Sequence, residues 1–401
     1  MKIKTEGITA ILFFVVIFGM LIGLFTYKDN DPINDFLLEY RTEVLPGTSI
    51  LDRLSKAIDI AEGVIYDETY LKDSYNDFYG LIQKMLGKKI MSDAGYGEIY
   101  RTKYNQIIFK VDKKDKEVEQ SLKAVVELKH ELDEIGIPLL YVQAPFKLTD
   151  SEQQLPINKK DYVDYNINLF LMGLEQNNID YLDLRPLLRN GTKTQNELFF
   201  NTDHHWRIET AFDATGHIED KLNKDYGFDI DSKYKDIKNY DLKTFRNCYL
   251  GSMGRRTGQL YSGLDDFTLI TPKFKTDYTL LQYDYGAETV FNGSFKNAIL
   301  VKEYMQEKAP VDNNRYAVYH GDNTELVFQN HLVNDGKVMM IKDSFGIPVY
   351  SFLSLGVSEV RALDLRLFKE SVVQYAKENK PDVVIILYNG DTFNKEMFSF
   401  S

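Results

Sequence analysis

The chain is poor in the residues that build cross-links and metal clusters. Its 401 residues include one cysteine, Cys248, which rules out an intramolecular disulfide framework and a cysteine-based zinc site. Positive charge is the minority sign: 48 Lys and Arg stand against 60 Asp and Glu, a formal net charge of −12. The acidic residues are spread along the chain rather than gathered in a tail, so the field repels nucleic acid and anionic lipid surfaces and argues against a nucleic-acid function. No G-x-G-x-x-G follows an apolar run, and both G-x-x-x-x-G-K and H-E-x-x-H are absent. Gly251–Gly263, GSMGRRTGQLYSG, is therefore a glycine-rich stretch without the pattern of a phosphate cradle.

Only one run is long and apolar enough to cross a membrane. Ile8 to Tyr27 reads ITAILFFVVIFGMLIGLFTY, about twenty residues without a charge, which is the length a helix needs to cross hydrocarbon. Lys2 and Lys4 precede it, so the positive-inside rule places the N-terminus in the cytoplasm and everything after Lys28 outside. The segment that follows, GLFTYKDND, lacks the small-residue signature of a cleavage site, which favours an uncleaved anchor over a signal peptide. The expected localisation is the cell membrane, single-pass, with the C-terminal domain extracytoplasmic.

A hydrophobic content of 44% and this length suffice for one large α/β domain with an insertion. Residues 1–28 form the anchor. Residues 29–109 read as a helical stalk or cap followed by a tyrosine-containing hairpin over 94–109. From Asp112 the pattern becomes α/β, so residues 110–225 form the first half of that domain. Lys116–Ile135 then Pro138–Val142, Asp164–Gln176 then Ile179–Leu184, and Leu198–Phe200 then Arg207–Leu222 are its helix and strand segments. Residues 226–335 lose the alternation and carry three short strand-like runs, a β-rich insertion. Residues 336–401 resume the order with strands at Val338–Ile341, Val357–Leu363 and Asp382–Leu387. The fold class expected is a parallel sheet flanked by helices.

Two stretches carry chemistry. In GKVMMIKDSFG (336–346) an apolar strand ends at Ser344, ahead of a helix whose free N–H groups favour developing negative charge. The plain alternative is that Asp343–Ser344 only caps that helix. In FFNTDHHW (199–206), Asp203 and His205 supply a base and the carboxylate that orients it, as a serine nucleophile requires. Against this, Asp203 is also a fair N-cap and the histidines ordinary surface residues. A metal reading would use Asp203, His204 and His205 with His217, but the spacing matches no common ligand motif. Polar residues at strand ends add candidates for oxyanion or substrate contact: Gln143, Lys147, the Gly321–Asn323 turn, and Arg255.

TDHHW followed by IKDSFG resembles the bacterial DHHW family, which is similar to the SGNH-hydrolase-like domains of alginate O-acetyltransferases. The resemblance runs from about Lys110 to the C-terminus apart from the middle portion. It implies an SGNH-hydrolase-like fold and a catalytic set of Asp203 as orienter, His205 as base and Ser344 as nucleophile, with no metal or cofactor. One departure is local: Lys342 stands where those enzymes usually have Gly before their Asp-Ser. The implied function is O-acetyl transfer to, or acetyl-ester hydrolysis on, a cell-surface or secreted polysaccharide, with a membrane-bound O-acyltransferase as acyl donor. The rival reading is a catalytically silent polysaccharide-binding or assembly protein on the same fold.

Overall fold

The computed structural model describes residues 80–400 apart from 94, 149–154, 157, 190–192, 285, 307–309 and 313, together with 72–79, 31–43 and scattered positions between 14 and 61. The expected membrane span, residues 8–27, lies largely outside the described residues. Among those described, no helix is long and apolar enough to cross a membrane. The chain divides into two units, Met1–Tyr79 and Gly80–Ser401. The first contains helix α1 (Pro32–Glu43), and α2 (Lys72–Met85) runs across the division.

The second unit opens with β1 (Ile90–Asp93), β2 (Gly97–Arg101) and β3 (Ile107–Phe109), a three-stranded antiparallel meander rather than a single hairpin. Helix α3 (Asp115–Glu134) and strand β4 (Leu139–Gln143) follow, then α4 (Val163–Gln176) and β5 (Tyr181–Asp183), then α5 (Ile208–Asp225). An antiparallel ribbon, β6 (Tyr240–Tyr249) with β7 (Asp265–Pro272), leads to β8 (Tyr278–Asp284), β9 (Ala287–Gly293) and β10 (Glu325–Asn330). The chain closes with β11 (Lys337–Lys342), α6 (Gly346–Leu353), β12 (Glu359–Leu363), α7 (Val372–Asn379) and β13 (Val383–Tyr388).

Eight strands form one sheet in the order β5-β4-β13-β11-β12-β10-β8-β9. The first five are mutually parallel, and β10, β8 and β9 continue the sheet antiparallel. The sheet is therefore mixed, not parallel throughout. Three strands of the 226–335 region hydrogen-bond into it, because the free edge of β12 offers unpaired N–H and C=O groups that β10 satisfies. The central strands are apolar almost without interruption, as strands covered on both faces must be. In β11, Val338 and Met340 join one hydrophobic cluster, with α5 and α6, while Met339 and Ile341 join the other, with α3, α4 and α7. Alternate side chains thus serve opposite layers.

One expected strand is absent. Leu198 ends a short helix, Gln195–Leu198, and Phe199 makes only an isolated bridge to Trp206. The short helix is started by a capping box in which Glu197 reaches back to the Thr194 N–H. With those residues helical, Phe199–Trp206 becomes a tight irregular turn, and it delivers the Asp-His-His segment to the end of the sheet.

Candidate active site

Ser344 follows the carboxyl end of β11, where the chain turns into α6. The turn is built by Asp343, whose Oδ1 accepts from the Phe345 N–H at 2.9 Å and whose Oδ2 accepts from Asn389 N, Asn389 Nδ2 and the Thr392 hydroxyl at 2.7–2.9 Å. Asp343 closes this turn but does not cap α6, whose N-cap is Phe345 and which has no side-chain cap hydrogen bond, so the plain capping reading does not hold; Ser344 is left partly exposed at the sheet end. Burial pushes the Asp343 carboxyl up to about 6, against the pull of those donors. Gly346 is required by packing: a Cβ there would lie 2.6 Å from the Cβ of Lys342.

The Ser344 hydroxyl lies 2.6 Å from His205 Nε2. On the other side of the ring, His205 Nδ1 is 3.2 Å from Asp203 Oδ2, close enough to pair by charge, although the buried nitrogen closes no aligned hydrogen bond. That oxygen already accepts from the Tyr249 hydroxyl. Asp203 Oδ1 accepts from the His204 backbone N–H at 2.7 Å and from the Ser252 hydroxyl at 3.0 Å, with His204 Nδ1 3.1 Å away. The three residues read from the sequence therefore meet in one line, Ser344 to His205 to Asp203, although 139 positions separate His205 from Ser344.

The environment sets the charges. Burial and the neighbouring His204 lower the His205 imidazole from its ordinary value, which favours the neutral form that can accept a proton. Tyr316 stacks on it at 4.1 Å between ring centres and Phe345 lies at 5.2 Å, which supplies much of the desolvation. His204 moves the other way: burial lowers it, but the hydrogen bond and charge of Asp203 outweigh that and raise it. Asp203 is buried, which alone would raise its carboxyl, yet the two histidines hold it well below the usual carboxylate range.

The other expected contacts are placed differently. Gln143 donates to the carbonyls of Ala144 and Tyr388 inside the sheet. Lys147 is buried and donates to the carbonyls of Ile107, Asn201 and Asp203 at 2.8–2.9 Å, which fixes the backbone beneath the histidines. Its ammonium is pushed down to about 7 by that burial. Asn323 donates to His320 O, the Gly321 carbonyl accepts from Tyr350, and Arg255 donates to Leu250 O. Among the described residues, none of these hydrogen bonds reaches Ser344 or His205.

Four residues to which the sequence assigned no part in the site support this segment: Tyr249, Ser252 and Gly251 meet Asp203 itself, and Asp265 holds the two residues before it. Asp265 accepts from Asn201 N, Thr202 N and the Thr202 hydroxyl at 2.7–2.8 Å. Gly251 abuts Asp203 so closely that a Cβ would stand 2.2 Å from the aspartate Cβ. Asp203, His204 and His205 offer ligand atoms within 4.8 Å of one another, a group to which His217 does not belong. The Asp203 oxygens in that group are already engaged by Tyr249, Ser252 and the His204 N–H, so a cation would have to displace those donors.

Comparison with known proteins agrees with the fold. Residues 104–235 match the family model described as the SGNH hydrolase-like domain of acetyltransferase AlgX. Bacillus cereus PatB1, solved with a sulfonyl adduct, superposes with a TM-score of 0.63 at 22% identity, covering 78% of this chain and 99% of that one. A second PatB1 structure gives 0.61 at 24% identity over 78% and 99%. A DHHW family protein from Eubacterium siraeum gives 0.59 at 16% identity over 77% and 96%. No curated protein sequence matches the chain. The resemblance read from the TDHHW and IKDSFG blocks is borne out, and the fold is α/β and SGNH hydrolase-like.

Proposed function

We propose that this chain is an acyl-transfer enzyme in which Ser344 is the nucleophile, His205 the general base and Asp203 the orienting carboxylate. The observation that carries the reading is the 2.6 Å contact of Ser344 Oγ with a buried His205 Nε2 whose other nitrogen faces Asp203. In the first half-reaction His205 takes the Ser344 proton as Oγ bonds to the acyl carbon of the donor. The imidazolium then protonates the leaving group, and an acyl-serine remains. In the second, His205 takes the proton of an acceptor hydroxyl as that oxygen bonds to the acyl carbon, the Oγ–C bond breaks, and Ser344 recovers its proton. The Ser344 backbone N–H makes no hydrogen bond among the described residues and is a donor available to the tetrahedral oxyanion.

The acyl group proposed is acetyl and the acceptor a cell-surface or secreted polysaccharide, with water as the competing acceptor that would make the protein an esterase. The match to an acetyltransferase domain over residues 104–235 supports this choice. With residues 8–27 as an uncleaved anchor, the domain would work outside the cytoplasm. A membrane-bound O-acyltransferase would then hand over the acyl group.

Intact-mass spectrometry after exposure to p-nitrophenyl acetate, and separately to an aryl sulfonyl fluoride, tests the nucleophile. A protein of the same fold carries a sulfonyl adduct, which motivates the second reagent. One adduct per chain, mapped to Ser344 and lost in a folded Ser344→Ala variant, is the expected result. An adduct retained in Ser344→Ala refutes the assignment, and no adduct in the wild type favours the silent binder.

A further inference from the structure

Helix α2 (Lys72–Met85) turns its polar side, not its apolar side, toward the domain. Gly80 and Gln83 are its buried residues. Gly80 abuts Thr257 O, where a Cβ would stand 2.2 Å away, and Lys84 Nζ donates to Leu260 O at 2.9 Å. Just past the helix the Lys88 carbonyl accepts from the Tyr261 hydroxyl at 2.9 Å. The apolar side faces outward. Tyr75, Phe78, Tyr79, Ile82, Met85 and Leu86 recur at spacings of three and four and so share one stripe, and all six are exposed, Phe78 at 63%, Leu86 at 65% and Met85 at 78%. A surface helix ordinarily buries that stripe in its own core. A continuous exposed one marks a surface that meets a second apolar phase.

The charge around the stripe identifies that phase. Residues 78–92 contain Lys84, Lys88 and Lys89 and no Asp or Glu, in a chain whose 60 acidic residues outnumber its 48 Lys and Arg. Gly87, left-handed at φ 69°, ends the helix with Lys88 N on Gln83 O, and Lys88 and Lys89 follow exposed at the end of the stripe. The acids of α2, Asp73 and Asp77, lie on the side of the helix away from the stripe. Tyrosine and phenylalanine rings beside aliphatic side chains, with lysines at one end, suit a helix lying in the plane of a bilayer interface: the rings sit at headgroup level and the ammonium groups meet lipid phosphates. The net charge of −12 repels an anionic surface elsewhere on the chain, so the basic end selects the side that approaches. With residues 8–27 as the anchor proposed above, the bilayer is also held close to α2 by the chain itself, at a high effective concentration.

We propose that the exposed face of α2 is a bilayer-docking surface, that it lies in the interface of a membrane with anionic headgroups, and that Lys88 and Lys89 meet those headgroups. A single spanning helix is a swivel and leaves the domain free to turn; a second point of contact fixes its orientation. The contacts of Gly80, Lys84 and Lys88 carry that orientation into the 257–261 segment, next to the short helix Ser252–Thr257 whose first residue holds Asp203. The proposal makes no use of the acyl-transfer reading.

The test uses the full-length chain reconstituted in vesicles of phosphatidylcholine and phosphatidylglycerol. Phe78→Trp puts a fluorescent reporter on the stripe, and the one native tryptophan, Trp206, is buried. An interfacial helix sinks about 5–10 Å into the headgroup region, so phosphatidylcholine brominated in the upper acyl chain should quench about half of the added emission. Met172→Trp, at an exposed position of α4, is the control and should not be quenched. Ile82→Glu with Met85→Glu, both exposed, should abolish quenching at position 78. Lys88→Gln with Lys89→Gln should weaken it in the anionic vesicles and leave it unchanged in phosphatidylcholine alone, since each basic residue near an anionic surface contributes about fivefold. Equal quenching at positions 78 and 172, quenching untouched by the double glutamate variant, or a lysine variant without effect overturns the proposal. A blue-shifted but unquenched Trp reporter at position 78 also overturns it, in favour of a protein cover, either a second copy or another part of this chain. Vesicle flotation scores the anchor separately: a chain that floats without quenching keeps the anchor and loses the docking surface, and a chain that does not float loses both.

Discussion

Replacing Tyr249 by Phe removes one hydroxyl from the Asp203 carboxylate and leaves the ring packed against Phe200, whose centroid is 4.9 Å away. That hydroxyl occupies Oδ2, the oxygen that His205 Nδ1 faces at 3.2 Å without an aligned hydrogen bond. A hydrogen bond to a charged group contributes about 1.5–3 kcal/mol. If nothing replaces it, stability falls by that amount. The geometry predicts otherwise: with Oδ2 vacated, the His205 N–H can turn onto it, so the stability loss should sit at or below about 1.5 kcal/mol. The recovered interaction favours imidazolium over imidazole, and about 1.4 kcal/mol corresponds to one unit of pKa. His205 should therefore titrate up to about one unit higher in Tyr249→Phe. Since the base acts when neutral, the acid limb of acetyl-ester hydrolysis moves to higher pH, and the variant loses more activity at pH 6 than at pH 8. The assays are a pH–rate profile, an NMR titration of His205 and urea unfolding. A full loss of about 3 kcal/mol with His205 unmoved would refute the idea that Tyr249 and His205 share one oxygen.

Three further outcomes follow from the same geometry. Gly251→Ala places a Cβ 2.2 Å from the Asp203 Cβ and must displace the orienting carboxylate, so ester turnover should fall about a hundredfold, the loss expected for misplacement by an ångström, with substrate binding changed far less. Lys147→Met strands three buried carbonyls and should cost about 3 kcal/mol or more by chemical denaturation. Because the folded state holds that lysine's proton less tightly than the unfolded chain, Lys147 makes stability rise with pH from about 7 toward the ordinary lysine range, a slope the variant should lack. His205→Ala should lower turnover by about three or more powers of ten, as loss of a triad base does, while His204→Ala should cost about tenfold, since Ser252 still holds Asp203 Oδ1. Equal losses in the two histidine variants would instead indicate a shared cation.

The parallel core was legible because doubly covered strands are written as apolar runs: Val338–Ile341 and Asp382–Leu387 predict β11 and β13 to within a residue or two. Leu198–Phe200 misled for the same reason. It is apolar and short, and a short apolar run does not by itself tell a strand from a buried turn. The pairing of β10 with β12 was not legible, since which edge a strand joins depends on contacts far apart in sequence. At the site, Asp203, His205 and Ser344 could be read because each stands in a recognisable block. Their supports could not: Tyr249 and Asp265 reach the Asp203 segment across 46 and 63 positions, with no periodicity to announce them. Lys342, marked in the sequence only as a departure from glycine, is buried and pairs with both Asp322 and Asp364. Arg366 pairs with Asp364 two residues before it and with Asp322.

The irregular turn that replaces the missing strand explains why the site needs so many remote supports. A strand would hold Asp203 through ladder hydrogen bonds to its neighbours. Residues 201–205 lack a ladder, so their backbone groups must be satisfied one at a time. Asp265 takes the N–H groups of Asn201 and Thr202; Lys147 serves the carbonyls of Asn201 and Asp203; Gly254 N donates to Thr202 O; and Ile107 N shares Asn201 O. These partners come from β3, the loop after β4, the start of β7 and the short helix Ser252–Thr257. Each is buried or nearly so, and loss of any one leaves a polar group without a partner in a dry environment, a cost of about 1–3 kcal/mol. The position of the carboxylate behind His205 is thus set by residues spread from Ile107 to Asp265. The β6–β7 region that interrupts the α/β alternation supplies Tyr249, Gly251, Ser252 and Asp265, so deleting it would take the supports of Asp203 with it while leaving the parallel strands of the sheet intact.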